Sequence, residues 1–358
     1  MLKISVCIAT HERPALLQRL LTTLSVQTRP ADEIIVSDSS VSLRSDAIVE
    51  AFAKANPRLT IKLIHSQSRA LPYQRWWAFQ HSGGEVVLFL DDDIQLDSRA
   101  LYFLDEAYKT LCVDGRDYPA GIGFLMRWED DDQSFRDRHS FKERWLGTSG
   151  YRSGGVTPGG LTVSPAGLNS DDPVEVDQLS GGAMSFRREV INRIGLLDHL
   201  VSLYDQGIGR TEDGVFSFCA RQYGKLYYLT QPLVLHPAAA KMNGTSHPYA
   251  SGGWRLGLAG TWGKAHTMRW LSSNRKACLK AWLRYSLLEM VRAMYMAGAN
   301  PLEASAWGRL GGASFGIIRT ILCWRSIAPH PGSRQETNTT FQQRCEARAE
   351  TNLSSQQT

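Results

Sequence analysis

No two cysteines in this chain are spaced as CxxC; the six stand scattered at positions 7, 112, 219, 278, 323 and 345 of 358 residues. That scatter excludes the usual zinc-ribbon and dithiol redox motifs. Cys7 lies inside an apolar strand pattern, the expected place for a buried free thiol. No uncharged apolar run reaches the ~18 residues of a membrane-spanning helix. No secretory leader opens the chain, because Lys3 to Thr10 runs straight into folded-looking sequence. A reducing cytoplasm is therefore the expected compartment, and the sequons at Asn243, Asn338 and Asn352 are chance matches. Glycine is missing from Thr10-His11-Glu12-Arg13-Pro14, the loop after the first predicted strand, so that loop is not a glycine-rich phosphate cradle. Acidic residues are scarce from Trp254 to Ala328, where 11 Lys/Arg face only Glu289 and Glu303, a balance of +9. The tail after Ala328 is neutral, so with a net charge of +5 the first 253 residues carry −4. A mildly acidic body is joined to a basic, tryptophan-bearing segment.

What is present is an ordinary globular composition, 43% hydrophobic and 21% charged, enough for one large domain with an appendage or for two domains. Lys3 to Thr10 reads as a strand. Pro14 is placed for a first helical turn, and Leu16, Leu17, Leu20, Leu21 and Leu24 follow at helical spacing. Strands at Glu33 to Ser37 and Leu59 to Ile64 alternate with helices at about Ser45 to Ala55 and Tyr73 to His81, and a fourth strand ends in Asp91-Asp92-Asp93. This alternation predicts an open, mainly parallel sheet flanked by helices, with ligands at the carboxyl ends of its strands. Three strand ends supply polar groups for one rim: Thr10-His11-Glu12, Asp38-Ser39-Ser40 and Asp91-Asp92-Asp93.

Three adjacent aspartates repel one another and gain nothing for a fold unless a hard cation or a polar turn accepts them. A second acidic run, Glu129-Asp130-Asp131-Asp132, has no strand behind it and reads as a solvated loop. Regularity falls away from Tyr118 to Asp177 and returns through Val176 to Phe186. A helix is expected near Arg188 to Ile194. Another opens at Thr211-Glu212-Asp213-Gly214 and runs to Tyr223, and short strands cover Leu226 to Leu229 and Leu233 to His236. Acidic residues in a first helical turn suit the helix dipole whatever else they do.

In that order these blocks resemble the family 2 glycosyltransferases, which have the GT-A fold; the resemblance covers roughly residues 3 to 240. Ile4 to Pro14 looks like the family's first strand and base-holding loop, Ile34 to Ser40 like its second strand, and Arg75 falls where the family has an arginine. Phe89-Leu90-Asp91-Asp92-Asp93-Ile94 matches the metal-binding DXD motif. Gly181-Gly182-Ala183 looks like the acceptor-side loop, and Thr211 to Gly214 like the "ED" helix. Ser39 and Trp76 depart from the family pattern, which leaves the donor's identity open.

The resemblance implies a nucleotide diphosphate-sugar donor, UDP- or dTDP-linked, a saccharide or lipid-linked acceptor, inversion at the anomeric carbon, and a role in cell-surface glycan synthesis. It implies Asp213 as catalytic base, Glu212, Gly181 and Gly182 at the acceptor, and Thr10, Glu12, Asp38, Arg75, Asp91 and Asp92 at the donor. Asp91, Asp93 and His236 would hold Mg²⁺ or Mn²⁺. Spacing of two on an extended chain would turn Asp91 and Asp93 to one side and Asp92 away, toward backbone amides. Arg75 would pair with the diphosphate or lie at the surface. A helix start would depress the pKa of Asp213 and keep it ionised near neutrality.

The chain is thus expected to divide into a GT-A domain over 1–253, a basic helical appendage over 254–328 and a disordered tail over 329–358. Leu279, Trp282, Leu283, Leu287, Met290, Val291 and Met294 recur at helical spacing, with Lys276, Lys280 and Arg284 on another face. Such a helix suits peripheral contact at the inner face of the plasma membrane, or packing on the catalytic domain. Nucleic acid is not expected as a partner. Competing readings are a sugar-phosphate nucleotidyltransferase, which the glycine-free first loop opposes, and an inactive membrane-associated scaffold, which the joint presence of Asp91, Asp93 and Asp213 opposes.

Overall fold

The computed structural model describes residues 2–112, 119–129, 141–237 and 253–327. Asp130 to Asp132 and the tail from 329 lie outside the described residues, so the loop and disorder expectations stated for them do too.

Five leucines of α1 (Pro14–Ser25) are buried, as their spacing requires. Burying each contributes about 1.5–3 kcal/mol. Helix α1 and the later α4 (Ala100–Thr110) cover one face of a nine-stranded sheet; α3 (Leu71–Gln80) lies against the other. Strand alternation sorts the side chains between the two cores. Along β1 (Ile4–Thr10), Ile4, Val6 and Ile8 enter the first core and Cys7 the second; along β4 (Val86–Asp91), Leu88 and Leu90 part from Val87 and Phe89 in the same way.

Strands β1, β2 (Glu33–Asp38), β3 (Ile61–His65) and β4 are parallel, in the order β3-β2-β1-β4. Thr10 pairs with Asp38, and Ala9 with Asp91, so the three polar strand ends share one rim as expected. Beyond β4 the sheet becomes mixed. Strand β8 (Ala183–Arg187) runs antiparallel to both β4 and β6 (Gly121–Trp128), while β6 is parallel to β9 (Leu226–His236). The two short strands β5 (Gln95–Leu96) and β7 (Val174–Val176) pair antiparallel with β9.

Three expectations need correction. Strand β6 lies where regularity was expected to lapse. Its glycines hid it: a Cβ on Gly121 would come within 2.6 Å of the Phe186 ring, so tight strand packing excludes a strand-forming side chain there. The two short strands after Lys225 are one strand, with a register irregularity opposite Phe124 to Met126. The predicted helix from Thr211 ends at Ala220 as α7 (Glu212–Ala220) and tightens into a 3₁₀ turn over Arg221–Tyr223. Before it come α5 (Arg188–Ile194) and α6 (Asp198–Asp205).

The carboxyl-terminal appendage is helical as expected: α8 (Gly253–Leu258), a π turn at Ala259–Gly263, α9 (Lys264–Leu271), α10 (Arg275–Ala299) and α11 (Ala304–Cys323). A third core joins it to the sheet domain, with Trp262, Met268 and Trp282 against Leu200, Leu203 and Val215. Among the described residues no helix is long and apolar enough to cross a membrane.

Candidate active site

Strand β4 ends at Asp91, and the chain turns there. The period-two argument that set Asp91 and Asp93 on one side and Asp92 on the other therefore fails, because alternation holds only while the chain stays extended. Asp92 is 4% exposed and accepts from Thr10 Oγ1 at 2.6 Å and Arg13 Nη1 at 3.1 Å, not from backbone amides. The same Arg13 nitrogen donates to Asp93 Oδ2 at 3.1 Å. Asp92 thus faces the loop after β1 and shares a cation with Asp93. Burial pushes its pKa up to about 7, against the pull of Arg13 and Thr10.

Arg75 is not a surface arginine. Its side chain is buried, and its guanidinium reaches Asp91 Oδ1 at 2.7 Å, Glu212 Oε1 at 2.9 Å and the Gly181 carbonyl at 2.7 Å. It ties the end of β4 to the start of α7, 137 residues from Arg75 in sequence. The guanidinium geometry matters here, since a fork can serve three acceptors in one plane and an ammonium cannot. Asp91 is still pushed up to about 6, by burial first and by Asp93 and Glu212 in addition, with Arg75 opposing.

The Gly181–Gly182 loop fills the space between these carboxylates. Gly181 N donates to Asp213 Oδ2 at 2.9 Å, and the Asp91 amide donates to the Gly182 carbonyl at 3.0 Å. Asp213 Oδ1 accepts from Gly214 N at 2.8 Å. Asp213 corrects the expected pKa: burial, then Glu212, push it up to about 6, and the two amides and Arg75 only oppose that rise. Desolvation of this partly buried group outweighs the helix-start effect. Tyr204, on α6, donates its hydroxyl to Glu212 Oε2.

Three contacting groups carry no signal in the sequence. Arg13, beside the Pro that starts α1, gives no hint that it reaches past β1 to two aspartates. Tyr204 was hidden because α6 is unremarkable. Lys264 is buried at the start of α9; its Nζ donates to Thr211 Oγ1 at 3.3 Å and lies 5.6 Å from the Tyr285 ring centre. Burial lowers its pKa to about 8, with Asp213 opposing. Thr211 itself adopts a left-handed conformation, φ 62°, immediately before Glu212.

On the opposite side of the rim, Asp38 Oδ1 accepts from Ser40 N at 2.8 Å and Ser40 Oγ at 2.5 Å. Its Oδ2 is buried without a hydrogen-bond partner among the described residues. Glu12 is tied to the chain just beyond Asp38-Ser39-Ser40. It accepts from Val41 N at 2.8 Å and from Ser42 N and Oγ at 3.1 and 2.7 Å, and these bonds, Ser42's hydroxyl first, pull its pKa down to about 2. His236 Nδ1 lies 3.0 Å from the Pro237 carbonyl, which can only accept, so that nitrogen carries the proton. Nε2 then faces Asp93 Oδ1, 3.7 Å away. Trp128 stacks on the ring at 4.1 Å.

Whether a divalent cation suits this corner follows from those contacts. Imidazole nitrogen and carboxylate oxygen are both donors to a divalent cation, and His236 Nε2 and Asp93 Oδ1 lie close enough to share one. Asp91 Oδ2 takes no hydrogen bond among the described residues. Among those residues no three His, Cys, Asp or Glu side chains are already gathered as a metal group. Sites of the magnesium type need only one or two protein carboxylates beside phosphate and water, so Asp91 and Asp93 are sufficient donors. The residues fit such an ion.

A groove of ≈ 170 Å³ opens between the 146–161 segment and α10, lined among others by Leu146, Tyr151, Pro158, Lys280 and Arg284. It brings together part of the segment of low regularity and the carboxyl-terminal helices.

Residues 5–157 match the profile of Glycosyl transferase family 2. Over 96 residues the chain is 33% identical to the O-antigen biosynthesis protein RfbC of Myxococcus xanthus, a stretch covering 26% of this chain and 7% of that protein. Over 99 residues it is 32% identical to the GalNAc(5)-diNAcBac-PP-undecaprenol beta-1,3-glucosyltransferase of Campylobacter jejuni, covering 28% of this chain and 32% of that enzyme. The matched stretch thus spans less than a third of either relative's length. The fold is similar to that of the mannosyltransferase PcManGT from Pyrobaculum calidifontis, solved in complex with GDP-Man and Mn²⁺; the TM-score is 0.50 at 15% identity, over 90% of this chain and 87% of that one.

Proposed function

We propose that this chain, which belongs to glycosyltransferase family 2 through its residues 5–157, is an inverting transferase acting between a nucleotide diphosphate-sugar and a saccharide or lipid-linked acceptor. The observation that carries the reading is the Arg75 bridge, which draws the carboxylates of the strand rim and of the α7 start into one cleft.

In this scheme the nucleoside lies over β1 and β2. The unpartnered Oδ2 of Asp38 accepts from a base or ribose donor there, because a buried carboxylate oxygen left unpaired costs stability without a ligand. Thr10 and Asp92 hold the floor of that pocket through their mutual hydrogen bond. Glu12, committed to the 41–42 backbone, shapes the pocket wall and does not reach the donor. Asp91 and Asp93, with His236, would hold Mg²⁺ or Mn²⁺, which when bound neutralises charge growing on the leaving diphosphate. The Mn²⁺ of the archaeal mannosyltransferase supports that choice.

Asp213 takes the proton of the acceptor hydroxyl. The new C–O bond forms at the anomeric carbon as the bond to the diphosphate oxygen breaks, and its electron pair leaves with the diphosphate. Each Asp213 oxygen accepts one amide N–H and keeps a second lone pair for that proton. Its raised pKa makes it a stronger base than a solvated aspartate while leaving it ionised at neutral pH. Glu212, fixed by Arg75 and Tyr204, and the Gly181–Gly182 loop flank the acceptor. UDP- and dTDP-sugars are the donors favoured, in cell-surface glycan synthesis, which accords with what the two bacterial relatives are named for. A lipid-linked acceptor would bring the enzyme to a membrane surface, and 254–328 is the segment whose composition suits that contact.

A panel of nucleotide sugars tests the reading. One donor should yield nucleoside diphosphate at a rate that rises with acceptor and stops on chelation. Formation of pyrophosphate from a nucleoside triphosphate and a sugar phosphate would instead identify a nucleotidyltransferase.

A further inference from the structure

Twelve of the twenty-one exposed large hydrophobic side chains among the described residues fall within residues 253–327, about a quarter of the described length. They are not scattered. On α10 the buried positions are Cys278, Trp282, Ser286, Ala293 and Ala297, and the first two belong to the third core. Beside them runs a second line, Lys276, Lys280, Arg284, Leu287, Val291 and Met294, at spacings of four and three that keep one helix face. Every member of that line is exposed. The cations expected on another face therefore continue the apolar stripe at its amino-terminal end.

Helix α11 buries Arg309, Ala313, Gly316 and Thr320 and turns Trp307, Phe315, Ile318 and Leu322 outward, the last three 45%, 57% and 79% exposed. The two stripes border one seam, where Ser314 Oγ meets Met290 Sδ at 3.8 Å. Acid is nearly absent from the hairpin. Glu289 is spent on Arg309 at 2.9 Å and Arg292 at 3.9 Å, and Glu303 lies at the start of α11. Trp262 and Trp270, by contrast, are buried and take no part.

We infer that the outer face of the α10–α11 hairpin docks on an anionic lipid surface. Leu287, Val291, Phe315 and Ile318 enter the boundary between headgroups and acyl chains, and Lys276, Lys280 and Arg284 meet headgroup phosphates. A face of this composition, apolar and cationic without acid, is complementary to such a surface. The same face of a second copy would offer these cations no acidic partner. The chain's own tail is a poor cover, since residues 329–358 hold only Phe341 and Leu353 as large apolar side chains. This inference goes beyond the transfer reaction and stands whatever the role of Asp213.

Sedimentation of the full chain with vesicles tests it. Phosphatidylcholine vesicles containing phosphatidylglycerol should carry the protein down, phosphatidylcholine alone much less, and added salt should weaken the binding. V291D and I318D, both at exposed positions, should each reduce vesicle binding about tenfold or more, with unchanged circular dichroism and unchanged activity on a water-soluble acceptor. A K276Q/K280Q/R284Q variant, which keeps the apolar stripe, should lose the preference for anionic vesicles. Full binding by V291D and I318D would overturn the inference. So would absence of vesicle binding, whether the chain is monomeric in analytical ultracentrifugation or forms a dimer that V291D dissociates.

Discussion

At the scale of single residues, the site is governed by how few cations serve how many carboxylates. Arg75 holds two and Arg13 holds two, leaving Asp91, Asp92 and Asp213 raised by burial. Replacing Arg75 with Met would leave Glu212 and Asp91 without their cation. Removing one partner of a buried ion pair costs about 3–5 kcal/mol, and the lower end applies because a third of the Asp91 side chain meets water. Thermal or denaturant unfolding of R75M against the parent checks this, and R75K should recover only part of the loss, since one ammonium nitrogen cannot stand where Nη1 and Nη2 both stand. The raised pKa of Asp213 fixes the sign of a pH effect. A base must be ionised, so the rate should be flat above about pH 6 and fall toward tenfold per unit below it. A pH–rate profile in saturating donor measures that limb; a fall only below pH 4 would show that the base is a solvated carboxylate.

At the scale of elements, what was legible followed periodicity. The leucines of α1 and the apolar runs of β1, β2 and β4 announced themselves, and the parallel order carried Thr10, Asp38 and Asp91 to one rim without further information. Three kinds of feature stayed hidden. Strand β6 was masked by glycines that tight packing demands. The turn after Asp91 was invisible because three aspartates read alike in a strand or a turn. The long-range ties, Arg75 to Glu212 and Lys264 to Thr211, join residues 137 and 53 positions apart, and no spacing encodes them. Gly160 shows the same limit. With φ +78° its added Cβ would lie 2.1 Å from the Met268 carbonyl oxygen, so the 157–163 segment presses its backbone onto α9. G160A should destabilise the protein by more than about 2 kcal/mol, combining left-handed strain with displaced backbone. A melting temperature within a degree of the parent would contradict that packing.

At the scale of the whole molecule, the appendage is part of the catalytic body as well as a candidate membrane face. Trp262, Met268 and Trp282 complete a core begun by Leu200 and Val215, and Lys264 lies against the residue that precedes Glu212 and Asp213. A chain ended at residue 252 would expose that apolar surface, and it should be insoluble or lack cooperative unfolding; a well-folded, active fragment would show the appendage to be dispensable. In the proposed reaction the rim carboxylates bind donor while Asp213 activates the acceptor. The most direct test measures both properties of Asp213→Asn in the presence of Mn²⁺, donor affinity by calorimetry and nucleoside diphosphate release with acceptor. Donor affinity should stay within about threefold of the parent while transfer slows by about a thousandfold or more. Transfer retained within about tenfold, with donor affinity unchanged, would contradict that role for Asp213.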